Sequence, residues 1–305
     1  MGSSKEACGC KGARYCGLCQ HTERVRGLKF SDAGKSDDAK FMSFQKFLFC
    51  PVCETGDHIQ LDRLSDTERI QQLCRQHECC KDKDDNPGNE RAKFETLTLF
   101  PDFLLESEEA DIVERIDGAT WHLSQSGRRK QDYGPKVNFK RRKVKLDHFL
   151  GMPEYANFLL QRMTEVRPER LSHYQPVELC NLEYEPGRGS SVDFHIDDTW
   201  LWGDRLISIN LLSGSIMCLM QESSQRLLLL PMPRRSLLCM QGAMRYEWRH
   251  GILRSHIHAR RIAITMREPS QHFATPDGDM YQTVGEKLIQ LGSKRITCPV
   301  SLPEA

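Results

Sequence analysis

The sequence lacks a hydrophobic run long enough to cross a membrane. No apolar stretch among its 305 residues approaches the ~20 residues that a bilayer-spanning helix needs. The first ten residues, MGSSKEACGC, also lack the apolar segment of a secretory signal peptide. We therefore expect no membrane partner and a location in the cytoplasm and nucleus.

The sequence also lacks a strong net charge, since its formal charge at pH 7 is +1. Composition therefore gives no overall electrostatic attraction to nucleic acid. Locally the balance differs, because residues 128–145 contain nine Lys or Arg and one acid, interleaved with aromatic residues. This pattern indicates a loop that binds an anionic or planar substrate, and an ordinary solvated basic hairpin is the alternative. The candidate substrate-side residues are Arg128, Arg129, Lys130 and Tyr133.

Cysteine is abundant, with thirteen residues, nine of them before residue 81. Because no secretory segment is present, reduced thiols or metal ligation are expected rather than disulfides. Two CxxC knuckles about 30 residues apart can form a tetrahedral zinc site. The thiols are too numerous to assign four ligands, and a set of unliganded cysteines is the alternative. The candidate zinc ligands are Cys8, Cys10, Cys16, Cys19, Cys50 and Cys53.

The chain divides into three parts by composition. The run KDKDDNPGNERAK at residues 81–93 is charged, contains Pro-Gly, and is typical of a linker. We therefore predict a cysteine-rich N-terminal region at 1–93, a main domain at 94–270 and a polar tail at 271–305. Many short strands at close spacing in the main domain predict a mostly β fold with flanking helices, namely a double-stranded β-helix (jelly-roll) barrel.

A possible metal site lies at the end of the segment CNLEYEPGRGSSVDFHIDD, residues 180–198. His195 and Asp197 are two apart on a predicted strand, so their side chains project from one face. A later histidine would complete a triad of two His and one carboxylate, which leaves three open positions suited to Fe(II) and O2 chemistry. His250 precedes a glycine 55 residues later, and His256 and His258 compete with it.

Two arginines on the last predicted strand suggest an anionic ligand. Arg261 and Arg267 are six residues apart, and an even spacing puts both on one face of a strand. Two guanidinium groups that face a barrel interior are costly unless anions meet them. A dicarboxylate would satisfy both by bidentate pairing.

The order of motifs YEPG, HID, RHGI and RxxxxxR over residues 95–270 resembles the AlkB family of Fe(II)/2-oxoglutarate dioxygenases. The resemblance implies that Fe(II), 2-oxoglutarate and O2 take part in the reaction. It implies that His195, Asp197 and His250 bind iron and that Tyr184, Arg261 and Arg267 contact 2-oxoglutarate. The family usually has Asn two residues before that Tyr, whereas Asn181 is three before it. Without a bulge, Asn181 would face the opposite way.

The resemblance also implies an oxidative demethylase that releases formaldehyde. The N-terminal CGCKG…CxxC pattern and the runs SQSGRRKQDYGPKVNF and DDTWLWGDRL resemble one animal branch of the family. That branch is described as acting on monomethyl-lysine in actin and on N6-methyladenine in DNA. The resemblance favours methyl-lysine on a protein such as actin, with methylated DNA as the alternative. A protein hydroxylase on the same fold and a non-catalytic zinc-binding scaffold are the remaining alternatives.

Overall fold

The computed structural model describes residues 8–28, 41–76 and 91–297. The linker predicted at 81–93 lies outside these ranges, apart from its last three residues. Over the described ranges, two seven-stranded sheets face each other, and short helices pack on their outer surfaces. No helix within these ranges is long and apolar enough to cross a membrane.

The strands of the described ranges are, in chain order, β1 Gln45–Cys50, β2 Thr55–Ile59, β3 Arg91–Lys93, β4 Leu97–Phe100, β5 His122–Leu123, β6 Arg129–Tyr133, β7 Lys136–Asn138, β8 Lys143–Lys145, β9 Met152–Pro153, β10 Glu178–Tyr184, β11 Val192–His195, β12 Trp202–Leu211, β13 Ser215–Gln221, β14 Arg226–Met232, β15 Ser236–Met240, β16 Arg249–Ile252, β17 Arg261–Pro269 and β18 Arg295–Ile296. The first sheet has the order β11-β16-β13-β14-β1-β2-β3, and the second has the order β4-β15-β12-β17-β10-β6-β5.

The helices of the same ranges are α1 Glu23–Arg26, α2 Thr67–Gln76, α3 Glu106–Asp117, α4 Tyr155–Val166, α5 Pro168–Leu171, α6 Gly242–Tyr246, α7 Gln271–Ala274 and α8 Glu286–Ser293. Helix α4 covers the outer face of the second sheet. Its residues Tyr155, Leu159 and Met163 are buried, and their spacing of four places them on one stripe that faces the second sheet.

Strands β10 to β17 form the predicted jelly-roll barrel. Eight consecutive strands divide equally, with β11, β16, β13 and β14 in the first sheet and β15, β12, β17 and β10 in the second. From β10 to β13 and from β14 to β17 the chain passes from one sheet to the other at each connection, as a double-stranded β-helix requires. The fold class inferred from many short strands is therefore confirmed.

Most barrel strands bury both of their faces, whereas β11 and β16 are partly exposed. Leu219 and Leu228 of the first sheet meet Leu206 and Leu238 of the second in the space between the sheets. The alternate residues face outward: Cys218 packs under the N-terminal segment, and other outward residues pack under helices α3 and α4. Because side chains alternate with period two, strands covered on both faces appear as continuous apolar runs in the sequence.

The N-terminal segment is part of the barrel, which corrects the boundary predicted near residue 93. Strand β1 pairs in parallel with β14, residues 45–48 against 226–229, and β2 and β3 extend the same sheet. Phe47 and Phe49 fill the space between the sheets, and Leu48 packs on the outer face. The run Phe-Leu-Phe-Cys is buried on both faces, which explains why it joins a sheet instead of forming a separate module.

The segment 271–297 is also not a detached polar tail. Phe273 and Leu288 are fully buried in the core that covers the second sheet. Strand β18 pairs in parallel with β9, which ties the end of the described chain to the start of α4. Five further apolar residues of the segment pack against the same core, namely Met280, Val284, Ile289, Leu291 and Ile296. Residues 298–305 lie outside the described ranges.

A buried carboxylate holds three arginines at one end of the second sheet. Glu183 is fully buried, and its oxygens accept hydrogen bonds from Arg129, Arg188 and Arg260 at 2.5 to 2.8 Å. Arg260 also binds Asp117 at the end of α3. Burial alone would raise the pKa of Glu183, but the three guanidinium groups lower it to about 2.

We expect Glu183→Gln to destabilise the protein at neutral pH. The free energy of unfolding of this variant should also fall less than that of the wild type as the pH is lowered. A depressed folded-state pKa stabilises the folded protein above the unfolded pKa near 4.5, and this stabilisation is lost as pH falls toward 2. The contribution is at most about 3 kcal/mol. Urea unfolding from pH 7 to pH 3 should therefore show a flatter pH dependence in Glu183→Gln than in the wild type. The exposed control Glu95→Gln should match the wild type.

Candidate metal and co-substrate site

The structure brings the three predicted metal ligands together at the mouth of the barrel. His195 ends β11, Asp197 follows two residues later, and His250 lies directly opposite His195 on β16. The two imidazole centroids are 4.4 Å apart, and His195 Nε2 is 3.5 Å from Asp197 Oδ1. One ligand atom from each residue lies within 4.8 Å of the other two. The register of β11 on β16 sets the two histidines opposite each other, and the segment that follows β11 brings Asp197 to the same point.

The two competing histidines lie elsewhere. His256 is fully buried, with its ring nitrogens 3.0 Å from the carbonyl oxygen of Ile216 and 2.7 Å from that of Leu64. These carbonyls belong to the outer face of the first sheet and the segment that covers it. His258 lies near the same outer face, beside Ile216. The choice of His250 over both neighbours is therefore supported by position.

The protonation states at the site suit a divalent metal. The Nδ1–H of His195 donates to the Asp193 carbonyl at 2.8 Å, which leaves the Nε2 lone pair for a metal. Burial, together with the neighbouring His195 imidazole, lowers the pKa of His250 to about 3, so the His250 imidazole is neutral. Burial alone would raise the pKa of Asp197, but Arg267 and the histidines hold it well below its usual range. Two imidazoles and one carboxylate are a donor set for Fe(II).

A buried arginine fixes the loop that carries Asp197. Arg245 in α6 is 1% exposed and donates to the carbonyls of Asp197 at 2.9 Å and Asp198 at 2.7 Å. The Asp198 carboxylate accepts in turn from the backbone N–H groups of Trp200 and Leu201. Arg245 was missed by sequence reasoning because it sits in a short helix with no periodic pattern and its partners are backbone oxygens 47 and 48 residues away.

Arg267 supports the metal ligand directly. Its Nε lies 3.0 Å from Asp197 Oδ2, and its other nitrogens bind Asp197 and Glu178. Burial would lower the pKa of Arg267, but these two carboxylates raise it. Arg267 therefore orients Asp197 and neutralises charge beside the metal position. Its predicted contact with a 2-oxoglutarate carboxylate stays a prediction.

Arg261 is buried with most of its hydrogen-bonding capacity unused. Its side chain is 1% exposed, Nε donates to Asn210, and both terminal nitrogens lack a hydrogen-bond partner among the described residues. The guanidinium carbon lies 4.8 Å from the centroid of the Tyr184 ring, because Tyr184 is paired opposite Arg261 in the sheet. Burial lowers the pKa of this guanidinium. Two unpaired parallel N–H donors fit one carboxylate.

One pocket contains both the triad and the arginines. Its remaining lining is largely apolar and includes Leu206, Met217, Met240 and Ile252. Arg261 and Arg267 face into it together, as their even spacing predicts, and β10 pairs with β17 in continuous register. Without a bulge, Asn181 points to the opposite face, where it bonds Gln131 and Tyr155. Asn181 is therefore corrected from a co-substrate contact to a buried structural residue.

The substrate-side residues divide into two groups. Arg128 lines the pocket beside Tyr184, and Lys130 lines an open groove next to it. Arg129 is engaged with Glu183, and Tyr133 is buried in the core under the helices. Neither of these two side chains is placed for substrate, because strand alternation turns them away from the groove. They are corrected to structural residues.

The structure also separates the candidate zinc ligands. The sulfurs of Cys8, Cys10, Cys16 and Cys19 come within 4.8 Å of one another. Cys50 and Cys53 lie in the β1–β2 hairpin and join neither group of metal-type ligands in the described ranges. The two CxxC knuckles therefore do not share a site, and this part of the prediction is corrected.

Two relatives match the chain over nearly its whole length. No family model matches the chain. It is 45% identical over 296 residues to a DNA N6-methyl adenine demethylase of Caenorhabditis elegans, covering 97% of this chain and 98% of that protein. It is 37% identical over 321 residues to the human alpha-ketoglutarate-dependent dioxygenase alkB homolog 4, covering 93% and 92%. Among solved structures, OsALKBH1 aligns at 12% identity with a TM-score of 0.43, over 57% of this chain and 96% of that one.

Proposed function

The chain belongs to the AlkB family of alpha-ketoglutarate-dependent dioxygenases, and we propose that it is an oxidative demethylase of N6-methyladenine in DNA. The family implies Fe(II) and 2-oxoglutarate as its cofactor and co-substrate. When bound, Fe(II) and 2-oxoglutarate would allow O2 to oxidise an N-methyl group. In that reaction 2-oxoglutarate is converted to succinate and CO2, and the methyl carbon is released as formaldehyde. The residues present fit both groups. A nuclear location follows from a DNA substrate and is part of the proposal.

Each residue of the pocket has a distinct task in this chemistry. His195, Asp197 and His250 would hold iron, and the unpaired nitrogens of Arg261 would bind the distal carboxylate of 2-oxoglutarate. Arg267 orients the Asp197 carboxylate. The apolar lining excludes water from the reacting methyl group.

The observation that carries the DNA substrate is the basic hairpin, residues 136–145, which comprises β7, a 3-10 turn and β8. It contains six Lys or Arg and no acid. Val137 and Val144 pair across its strands and pack inward, so the charged side chains project to solvent. Phe139 at its tip is 43% exposed. Solvent-facing cations beside an exposed aromatic ring suit phosphates and a stacked base.

The hairpin adjoins the groove that leads toward the iron position. Lys136 and Phe139 line this groove together with Glu178. Glu178 bonds Arg267, and Arg267 bonds Asp197. One residue, Arg267, therefore connects the wall of the groove to a metal ligand. Both carboxylates on the groove are already paired, Asp132 with Lys130 and Glu178 with Arg267. The carboxylates of the groove are thus neutralised while Lys136 remains, so the groove carries a net positive charge that favours an anionic substrate.

Charge reversal of the hairpin should weaken DNA binding selectively. We expect the triple variant Lys140→Glu, Arg141→Glu, Lys143→Glu to raise the KM for methylated DNA and to lower the slope of log affinity against log salt by roughly 2. Turnover of a methyl-lysine peptide should not change. Arg75→Glu, in α2 on the far side of the first sheet, is the matched control. A salt slope equal to that of the wild type would contradict the proposal.

Methyl-lysine on a protein such as actin is the second candidate. The overall charge of +1 favours it, since strong non-specific DNA binding usually needs more positive charge. The same hairpin would also attract an acidic protein surface. Supplying a methyl-lysine peptide and N6-methyladenine DNA separately, with formaldehyde and succinate as readouts, decides between the two. Succinate without formaldehyde would indicate a hydroxylase instead.

A further inference from the structure

Four cysteine sulfurs near the start of the described chain have the geometry of a metal site. Cys8, Cys10, Cys16 and Cys19 converge within 4.8 Å, and the Sγ atoms of Cys16 and Cys19 are 3.8 Å apart. A disulfide would need about 2.0 Å. Sulfurs bound at about 2.3 Å to one tetrahedral Zn2+ lie about 3.8 Å from each other. The spacing fits the edge of a four-thiolate tetrahedron.

The local backbone is shaped to turn these sulfurs toward one point. Gly12 has φ +57°, so the chain reverses between the second and third cysteines. The N–H of Cys16 points at the sulfur of Cys19 at 3.4 Å, and Arg24 Nη2 lies 3.4 Å from the same sulfur. Arg24 also binds the carbonyls of Gly12 and Arg14. Four thiolates on Zn2+ carry a charge of −2, which N–H donors and an arginine offset.

This cysteine segment, residues 8–28, has almost no core of its own. Its buried apolar cluster consists of Cys16, Cys19 and Val25. Three small side chains cannot compensate the conformational entropy of ordering twenty-one residues. Short segments of this kind are ordered by a metal, whose binding free energy becomes folding free energy.

The cysteine segment is fixed to the barrel by several independent contacts. The N–H of Gly17 donates to the Arg188 carbonyl at 3.0 Å. Arg254, next to β16, stacks over the Tyr15 ring at 4.5 Å and binds the Tyr15 carbonyl and Gln20. A Cβ on Gly9 would come within 2.8 Å of the Ser124 carbonyl oxygen, so the two backbones touch.

These contacts meet two turns that shape the pocket mouth. A Cβ on Gly127 would lie 3.1 Å from Cys16 Cβ and 2.6 Å from the Arg188 oxygen, so this glycine sits between the cluster and the second turn. The next residue, Arg128, lines the pocket. The N–H of Ser191 donates to the Ser126 carbonyl just before the strand that ends at His195.

We propose that Cys8, Cys10, Cys16 and Cys19 bind one structural Zn2+, which clamps the turns at 124–128 and 186–191 over the mouth of the pocket. The four thiols release their protons to solvent on binding. Cys50 and Cys53 take no part. The clamp positions Arg128 without contacting any reactant.

The direct test is zinc content of the full-length protein, purified without chelator and analysed by mass spectrometry of metals. We expect one zinc per wild-type chain and at least roughly tenfold less in Cys16→Ser and Cys19→Ser. Cys53→Ser is the matched control, and His250→Ala shows that the zinc is not in the barrel; both should retain one zinc. Zinc retained by Cys16→Ser, zinc lost with His250→Ala, or iron found at the cysteines would overturn the proposal.

Thiol labelling of the wild type covers the case in which the cysteine variants do not fold. A strong chelator should make four additional thiols reactive, and added Zn2+ should protect them again. No gain in reactive thiols would overturn the proposal.

The effect of zinc on the pocket rests on the proposed function. Loss of zinc should raise the KM for 2-oxoglutarate severalfold. Because zinc content and thiol counts do not depend on turnover, failure of the clamp and failure of the demethylase assignment give different results.

Discussion

Asp197→Ala should abolish turnover of 2-oxoglutarate and remove iron from the purified protein. Asp197 supplies the only oxygen donor of the triad, and its carboxylate also pairs with Arg267. Changes to residues that merely support a metal ligand cost about 10- to 100-fold in affinity or activity, so loss of a ligand should cost more than roughly 100-fold. Iron content after anaerobic loading and succinate formation are the two measurements.

The control variants separate loss of iron from loss of fold. Asp193→Ala removes an exposed carboxylate from β11, the strand just before Asp197, where its 3.7 Å pair with Arg14 contributes little. This variant should match the wild type. Asp197→Asn keeps the shape and one oxygen but loses the charge beside Arg267, so it should fold and still bind iron poorly. Wild-type iron content and turnover in Asp197→Ala would refute the assigned triad.

The site was predictable where it depends on strand parity. The alternation of side chains is local, so the spacing of six between Arg261 and Arg267 puts both on one face of β17. Asp197 lies beyond the end of β11, so strand alternation alone does not place it beside His195. The same rule placed Asn181 opposite to Tyr184, and the continuous register of β10 on β17 agrees with it. Sequence alone could state these relations wherever no bulge interrupts the strand, as along β10 and β17.

What the sequence did not predict depends on distant partners. Strand β1 pairs with β14, about 180 residues further along the chain, and nothing in QKFLFC specifies that neighbour. Glu183 collects arginines from three separate segments, and Arg245 binds backbone oxygens across the barrel mouth. The convergence of Cys8, Cys10, Cys16 and Cys19, without Cys50 and Cys53, depends on how residues 8–28 fold and pack on two turns. Such features arise from tertiary packing, which composition and periodicity do not encode.

Arg261→Met should separate co-substrate binding from stability. Two charge-assisted hydrogen bonds to a carboxylate contribute about 1.5 to 3 kcal/mol each, so the KM for 2-oxoglutarate should rise at least roughly 100-fold. The KM for the methylated substrate should not change. Arg261→Lys keeps the charge but presents a single point donor, so we expect an intermediate KM. Arg234→Met, which removes a half-exposed partner of Glu109, should leave the KM unchanged.

The same variant should be at least as stable as the wild type when no ligand is present. The two terminal nitrogens of Arg261 are buried without hydrogen-bond partners in the described ranges, and such groups destabilise a fold. Replacing the guanidinium with a thioether removes that penalty while filling similar space. Added 2-oxoglutarate should raise the Tm of the wild type and not that of Arg261→Met. A variant that loses stability without ligand, yet keeps its 2-oxoglutarate KM, would show that Arg261 supports the barrel and does not bind the co-substrate.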